Sequence, residues 1–249
     1  MTGRPATRIY RSFPLVPGGS VELSRDQAHR LSSVLRLSLG VTIALFNGND
    51  GEWLCRIAGL GKGVARVRVE RRLRAPEPES ELWLLFAPIK RARLDWLVEK
   101  ATELGASALL PVWTARTQVE RLNLERLRTH AISAAEQSER LSVPELRPPE
   151  PLDAVLACWP PGRSLIVCDE TGVSAPIGEA LAQLSAGPAA LLVGPEGGFN
   201  QSELDALDKL SFVSRVGLGP RVLRAETAAL AALALFQGIA GDWRQSRTR

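Results

Sequence analysis

Three segments of this 249-residue chain carry residue types at spacings that suit chemistry. In Leu191-Leu192-Val193-Gly194-Pro195-Glu196-Gly197-Gly198-Phe199-Asn200-Gln201-Ser202-Glu203, an apolar run breaks into a glycine-rich turn and a helix restarts soon after. Glycines at a strand end let backbone amides and carbonyls approach a ligand with no side chain in the way. Asn200 or Ser202 can cap the following helix, and Glu203, three residues beyond Asn200, suits a capping box. The spacing is neither G-x-G-x-x-G nor G-x-x-x-x-G-K-[ST], so neither a dinucleotide fingerprint nor a P-loop is supported. By residue chemistry alone the segment is either a small-molecule loop or a tight turn that only joins strand to helix.

The second segment, Val216-Gly217-Leu218-Gly219-Pro220-Arg221-Val222-Leu223-Arg224-Ala225-Glu226-Thr227-Ala228, repeats the arrangement. Arg221 and Arg224 fall where a second strand end opens to the same crevice. Glu226 falls in the first helical turn, where a negative charge complements the helix dipole; that capping role is the alternative to a chemical one. The third segment sets Lys90, Arg91 and Arg93 at the start of a helix, as a phosphate clamp or as a solvated helix end, and Glu136-Gln137-Ser138 closes a later helix.

These segments need a scaffold, and the hydrophobic pattern supplies one. Trp83–Pro88, Leu165–Cys168 and Ala190–Val193 are continuous apolar runs, the pattern of strands buried on both faces. Ala108–Val112 and Val213–Leu218 complete the strand set. Leu94, Leu97, Val98, Ala101 and Leu104 recur at helical spacing within Arg91–Leu104. Further helices are expected at Leu124–Arg140, Ile177–Leu184, Ser202–Leu207 and Glu226–Ile239. Alternating strands and helices predict an α/β domain with a largely parallel sheet covered by helices. The first third differs. Strands are expected at Arg8–Phe13, Ser20–Leu23, Val41–Phe46, Trp53–Ile57 and Val64–Leu73, with one helix, Asp26–Leu35, capped by Ser24. That pattern fits a small β-barrel with a helical insert, a type that often binds RNA. Ala75–Ser80 has linker composition, which divides the chain into 1–74 and 75–249.

Charge follows the same division. Residues 1–74 hold 13 Lys and Arg against 5 Asp and Glu, whereas residues 75–249 hold 18 against 22. A front module facing a polyanion accounts for this, as does an arginine-rich solvated surface. Three scattered cysteines and two histidines argue against a disulfide framework and against a metal site. No apolar stretch reaches the roughly 18 residues of a membrane span. Met1-Thr2-Gly3-Arg4-Pro5 lacks a signal-peptide layout, so a cytoplasmic location is expected.

Taken together, the motifs resemble the ribosomal RNA small subunit methyltransferase E family of the SPOUT class over nearly the whole chain. The resemblance rests on His29-Arg30-Leu31 with Val34-Leu35-Arg36-Leu37, on Lys90 to Gly105, on Glu136-Gln137-Ser138, on Gly194 to Phe199, and on Leu218-Gly219 with Arg221 to Ala228. Glu139 stands where the family usually has glycine, and Ala225 where it usually has threonine. The resemblance implies a PUA-like β-barrel at 1–74 and a trefoil-knotted, mostly parallel SPOUT domain at 75–249. It implies S-adenosylmethionine held by Gly194, Pro195, Glu196, Gly197, Gly198, Leu218, Gly219 and Leu223, with Asp169–Thr171 as a further wall. It also implies a homodimer, with Glu226–Ile239 in the interface, that methylates uridine N3 in 16S rRNA of the small ribosomal subunit. In that picture Arg224 and Glu226 serve catalysis, while Arg8, Arg11, Arg30, Arg36, Lys90, Arg91 and Arg93 contact RNA. An assembly factor that binds RNA without catalysis, and a SPOUT enzyme acting on another RNA or base, remain open alternatives.

Overall fold

The computed structural model describes residues 4–61, 63–171 and 174–244, so part of the N-terminal segment read above, Met1–Gly3, lies outside the described residues. The chain divides into two compact units: Met1–Pro78 with Ala135–Val143, and Glu79–Ala134 with Pro144–Arg249.

The first unit contains β1 (Arg8–Tyr10), β2 (Ser20–Leu23), α1 (Arg25–His29), β3 (Thr42–Asn47), β4 (Gly51–Gly61) and β5 (Val64–Arg74). The strands form one sheet in the order β1-β3-β4-β5-β2, with β1–β3 parallel and the other pairs antiparallel. The described sheet ends at β1 and β2, so strand pairing does not close it into a full barrel. Alternation in β5 buries Ala65, Val67 and Val69 and exposes Arg66 and Arg68. These residues join Ile9, Leu31, Ile43, Leu45 and Ile57 in the unit's core.

Two expected helices change form here. The capping box at Ser24 and Gln27 is present, but α1 widens after His29 into a π-helical turn, Arg30–Val34. There Leu35 N–H donates to Arg30 O at 2.9 Å, five residues back, and Arg36 then takes φ +51°. The helix expected to reach Arg140 stops at Gln137, because Glu139 adopts φ +62°, outside the helical region. That conformation is one that glycine adopts without strain. β1 stops short of Phe13 as the chain approaches Pro14, which has no N–H for a ladder.

The second unit continues with β6 (Leu82–Phe86), α2 (Arg91–Glu103), β7 (Ala108–Trp113), α3 (Leu124–Gln137, whose last three residues group with the first unit), β8 (Glu145–Leu146), β9 (Glu150–Pro151) and α4 (Leu152–Ala157). It ends with β10 (Ser164–Cys168), β11 (Ala175–Pro176), α5 (Ile177–Ala182), β12 (Ala189–Val193), α6 (Gln201–Leu207), β13 (Val213–Gly217) and α7 (Ala225–Ile239). The sheet order is β11-β13-β10-β12-β6-β7-β8, with β9 also on β7, and every pairing is parallel. Leu85, Leu110, Val112, Leu165, Val167, Ala190 and Leu192 fill one core, which also takes Phe199, Leu204 and Leu207. The intervening Leu84, Leu109, Ile166 and Leu191 are also buried, and alternation sends them to the opposite face. Both faces are therefore covered, as continuous apolar strands require. From β10 the chain runs to β12 on one side and later to β13 on the other. Loops from both flanking strands thus meet at the carboxyl end of β10, the switch point where open α/β sheets bind ligands. Among the described residues no helix is long and apolar enough to cross a membrane.

Candidate active site

The carboxyl ends of β10, β12 and β13 open onto one cavity of about 720 Å³. Two loops bound it: one follows β12 and begins at Gly194, and the other links β13 to α7. In the first loop Gly198 N–H donates to Pro195 O at 2.9 Å, and Gly198 has φ +66°. A Cβ there would meet only the carboxylate end of Glu170, which can swing aside, so it is the left-handed backbone that favours glycine. Asn200 caps α6 with the full capping box, its side chain accepting from Glu203 N–H. Glu203 also accepts from Ala115 N–H at 2.8 Å, and Arg116 donates to the carbonyl of Gly197 at 2.6 Å. The segment after β7 thus braces this loop from outside.

At the end of β10 the carboxylate of Asp169 is 2 % exposed. It accepts from Thr171 N–H at 2.9 Å, Thr171 Oγ1 at 2.7 Å, Ser174 Oγ at 2.8 Å, and Arg215 Nη2 at 2.5 Å. Burial alone raises the pKa of such a group, but the bonds from Thr171, Arg215 and Ser174 outweigh it and hold Asp169 at about 2. Glu170 beside it is pushed up, first by burial and then by the charge of Asp169, with Arg116 opposing.

The opposite wall comes from α2 and the start of α7. Arg93 donates through Nη1 to Oε1 of Glu196, and its Nε lies 3.5 Å from Oε1 of Glu226. Glu226 is 8 % exposed, and its Oε2 is buried without a hydrogen-bond partner among the described residues. Arg224 is the N-cap residue of α7 and makes no side-chain cap bond. Among the described residues neither Arg221 nor Arg224 is engaged by a carboxylate, although both line the cavity.

Of the residues singled out by sequence, Gly194, Pro195, Glu196, Gly198, Leu218, Gly219, Leu223, Arg224, Lys90 and Arg93 line this one cavity. Gly197, Arg91 and Glu226 are not among its lining. Arg8, Arg11, Arg30 and Arg36 belong to the first unit. Arg8 is held by Glu52 at 2.5 Å and donates to the carbonyls of Ala135, Glu136 and Arg140. Arg30 pairs with Glu136 at 2.5 Å. The guanidinium of Arg11 sits 5.1 Å from the Phe13 ring, and burial lowers its pKa. Arg36 is exposed. Sequence reasoning passed over Arg116, Ser174 and Arg215. A polar run directly after an apolar strand marks Asp169–Thr171, but nothing local marks partners more than forty residues away.

Comparison with known proteins gives these features a class. Residues 76–237 match the family model described as an RNA methyltransferase domain, and residues 23–70 match an RNA methyltransferase PUA domain. The fold is α/β, with a PUA-like N-terminal part and an all-parallel sheet. The chain is 35 % identical over 228 residues to ribosomal RNA small subunit methyltransferase E of Rickettsia conorii, covering 91 % of this chain and 93 % of that one. It is 32 % identical to the enzyme of that name from Synechocystis, covering 88 % and 73 %. A solved ribosomal RNA small subunit methyltransferase E from Neisseria gonorrhoeae, bound to S-adenosyl methionine, superposes with a TM-score of 0.85 at 29 % identity, over 95 % of this chain and 99 % of that one. A methyltransferase from Legionella pneumophila in complex with SAM gives 0.82 at 32 % identity, over 95 % and 98 %. The chain belongs to the ribosomal RNA small subunit methyltransferase E family.

Proposed function

We propose that this chain transfers the methyl group of S-adenosylmethionine to N3 of a uridine in 16S rRNA of the small ribosomal subunit, working as a homodimer in the cytoplasm. The observation that carries the reading is the cavity itself: two Gly/Pro loops at the ends of the strands that flank β10, with guanidinium groups on its wall that no carboxylate engages among the described residues. Its volume and mixed walls fit the cofactor. Val193, Leu218 and Leu223 offer apolar surface to an adenosine, Gly194, Pro195, Gly198 and Gly219 expose backbone groups, and Glu196 offers a carboxylate. Gly197 supports the turn, through its carbonyl bond to Arg116.

Bound S-adenosylmethionine supplies an already activated methyl group. The chain then has to align the acceptor and accommodate the charge left when the N3 proton departs. Arg224 is assigned the stabilisation of negative charge spreading over the uracil carbonyl oxygens, since among the described residues no carboxylate neutralises it. Glu226, buried behind the cavity lining, is assigned to orientation within the catalytic set, with a water or another carboxylate taking the proton. Residues 75–249 form the catalytic part. Residues 1–74 bring RNA, with Arg11, Arg30 and Arg36 on the phosphate-facing side and Lys90, Arg91 and Arg93 beside the cavity. Arg8 contributes by fixing the carbonyl ends around it.

The decisive experiment is mass spectrometry of rRNA nucleosides from a deletion strain, paired with methylation of purified small subunits by the protein and S-adenosylmethionine. Loss of 3-methyluridine, restored by the protein, is expected. An unchanged nucleoside profile overturns the reading. RNA binding should also weaken steeply with added salt, as phosphate contacts dictate.

A further inference from the structure

Arg93 stands apart from the other cations of the cavity because it meets two acidic side chains that come from different elements. Its Nη1 donates to Glu196, in the loop after β12, and its Nε approaches Glu226, in the first turn of α7. These partners are 103 and 133 residues further along the chain. One guanidinium therefore ties the cofactor loop to the helix start that carries Arg224. Among the described residues Glu226 has a single approach to a cation and one buried oxygen without a partner. A buried carboxylate in that state holds its position through the contact it has, so its geometry depends on Arg93. The rigid planar fork of arginine presents Nη1 to one carboxylate and Nε to the other, whereas a lysine ammonium is a single point charge that would have to reach both from one place.

We propose that Arg93 is a positioning residue of the transfer site, coupling the Gly194–Phe199 loop through Glu196 to the start of α7 through Glu226. It acts on cofactor binding by one link and on turnover, by way of Arg224, by the other. This role rests on the methyl-transfer reading above, and it reassigns Arg93 from phosphate contact to internal geometry.

The test is a set of variants read by calorimetric binding of S-adenosylmethionine and by kcat on small subunits. Glu196→Gln is expected to weaken cofactor binding by a larger factor than it lowers kcat. Glu226→Gln is expected to lower kcat with binding little changed. Arg93→Gln is expected to do both, each by roughly 10-fold or more. The double variant Arg93→Gln/Glu226→Gln should be no slower than Arg93→Gln, and Arg93→Lys should restore at most one of the two losses. A destabilised but otherwise unaltered site would show parallel loss of active fraction and Tm, without this split. Full activity and binding in Arg93→Gln, losses that multiply in the double variant, or rescue of both by lysine overturns the proposal. Wild-type protein that binds the cofactor but leaves rRNA unmethylated overturns the functional reading alone, and the binding cycle of Arg93 with Glu196 still judges the coupling. Wild-type protein that binds no cofactor overturns both.

Discussion

Two walls of the same cavity use charge in opposite ways. At the end of β10, Asp169 is nearly inaccessible and takes hydrogen bonds from Thr171, Ser174 and Arg215, so its charge is fully answered. Across the cavity one guanidinium, Arg93, stands between two carboxylates, and among the described residues one oxygen of Glu226, next to the lining, has no partner and no carboxylate engages Arg224. The first wall is satisfied without a ligand. The second leaves both an unanswered cation and an unanswered oxygen, as a wall that meets charge only during reaction would. Satisfied networks rigidify a site, whereas groups left unsatisfied are costly and persist where function uses them.

Removing Arg224 tests that contrast most severely. Arg224→Ala should lower kcat by about 100- to 1000-fold, the loss typical of one charge-stabilising donor. Its stability should stay within about 0.5 kcal/mol of wild type, because the residue is exposed and pairs with no carboxylate among the described residues. Turnover close to wild type would erase the distinction between the walls.

Asp169→Ala should show the reverse, a loss of about 2 kcal/mol in denaturant unfolding, since it removes the shared acceptor of Thr171, Ser174 and Arg215 and leaves Arg215 with Asp208 alone. A change within error would show that the β10 wall is not a structural tie. The same carboxylate predicts an acid limb. Because its folded pKa is lowered to about 2 from 3.8, its contribution is fully present above pH ~4 and is lost as pH falls toward 2. That contribution is about 2 kcal/mol, and unfolding curves of wild type and Asp169→Asn should differ in slope across this window. Parallel curves would break the assignment.

The smallest effect sharpens the comparison from the other unit, where the unsatisfied element is backbone rather than charge. Glu139 holds φ +62° and pairs with Arg4, whose side chain is 89 % exposed. Glu139→Gly should raise stability by about 0.5–1 kcal/mol, because relief of the left-handed conformation exceeds the loss of an exposed ion pair. A destabilised variant would mean that this ion pair, or the bond from Arg74 to the Glu139 carbonyl, depends on the side chain.

Most of the elements were legible in the chain because their signals are local. Apolar runs marked β6, β10 and β12, the 3.6-residue period marked α2, and Asn200 with Glu203 announced the start of α6. The short α4 and the two-residue strands β8, β9 and β11 carried too few residues to show a period. The π-helical turn after His29 also escaped, since its five-residue hydrogen bond leaves no composition signature.

By itself, then, the sequence determined an arginine-rich front, an alternating β/α back and two glycine loops placed after strands. Each of these follows from neighbours within a few residues. Only the tertiary structure decided that β10 lies between β12 and β13, which brings those two loops onto one cavity. It also decided that Arg8 is consumed by internal carbonyls, that Asp169 finds Arg215, and that Arg93 spans Glu196 and Glu226. The physical reason is the same in each case. A guanidinium or a carboxylate reads alike along the chain whether it faces solvent, a carbonyl or a counter-ion, and its partner is fixed by strand order, which no local period encodes.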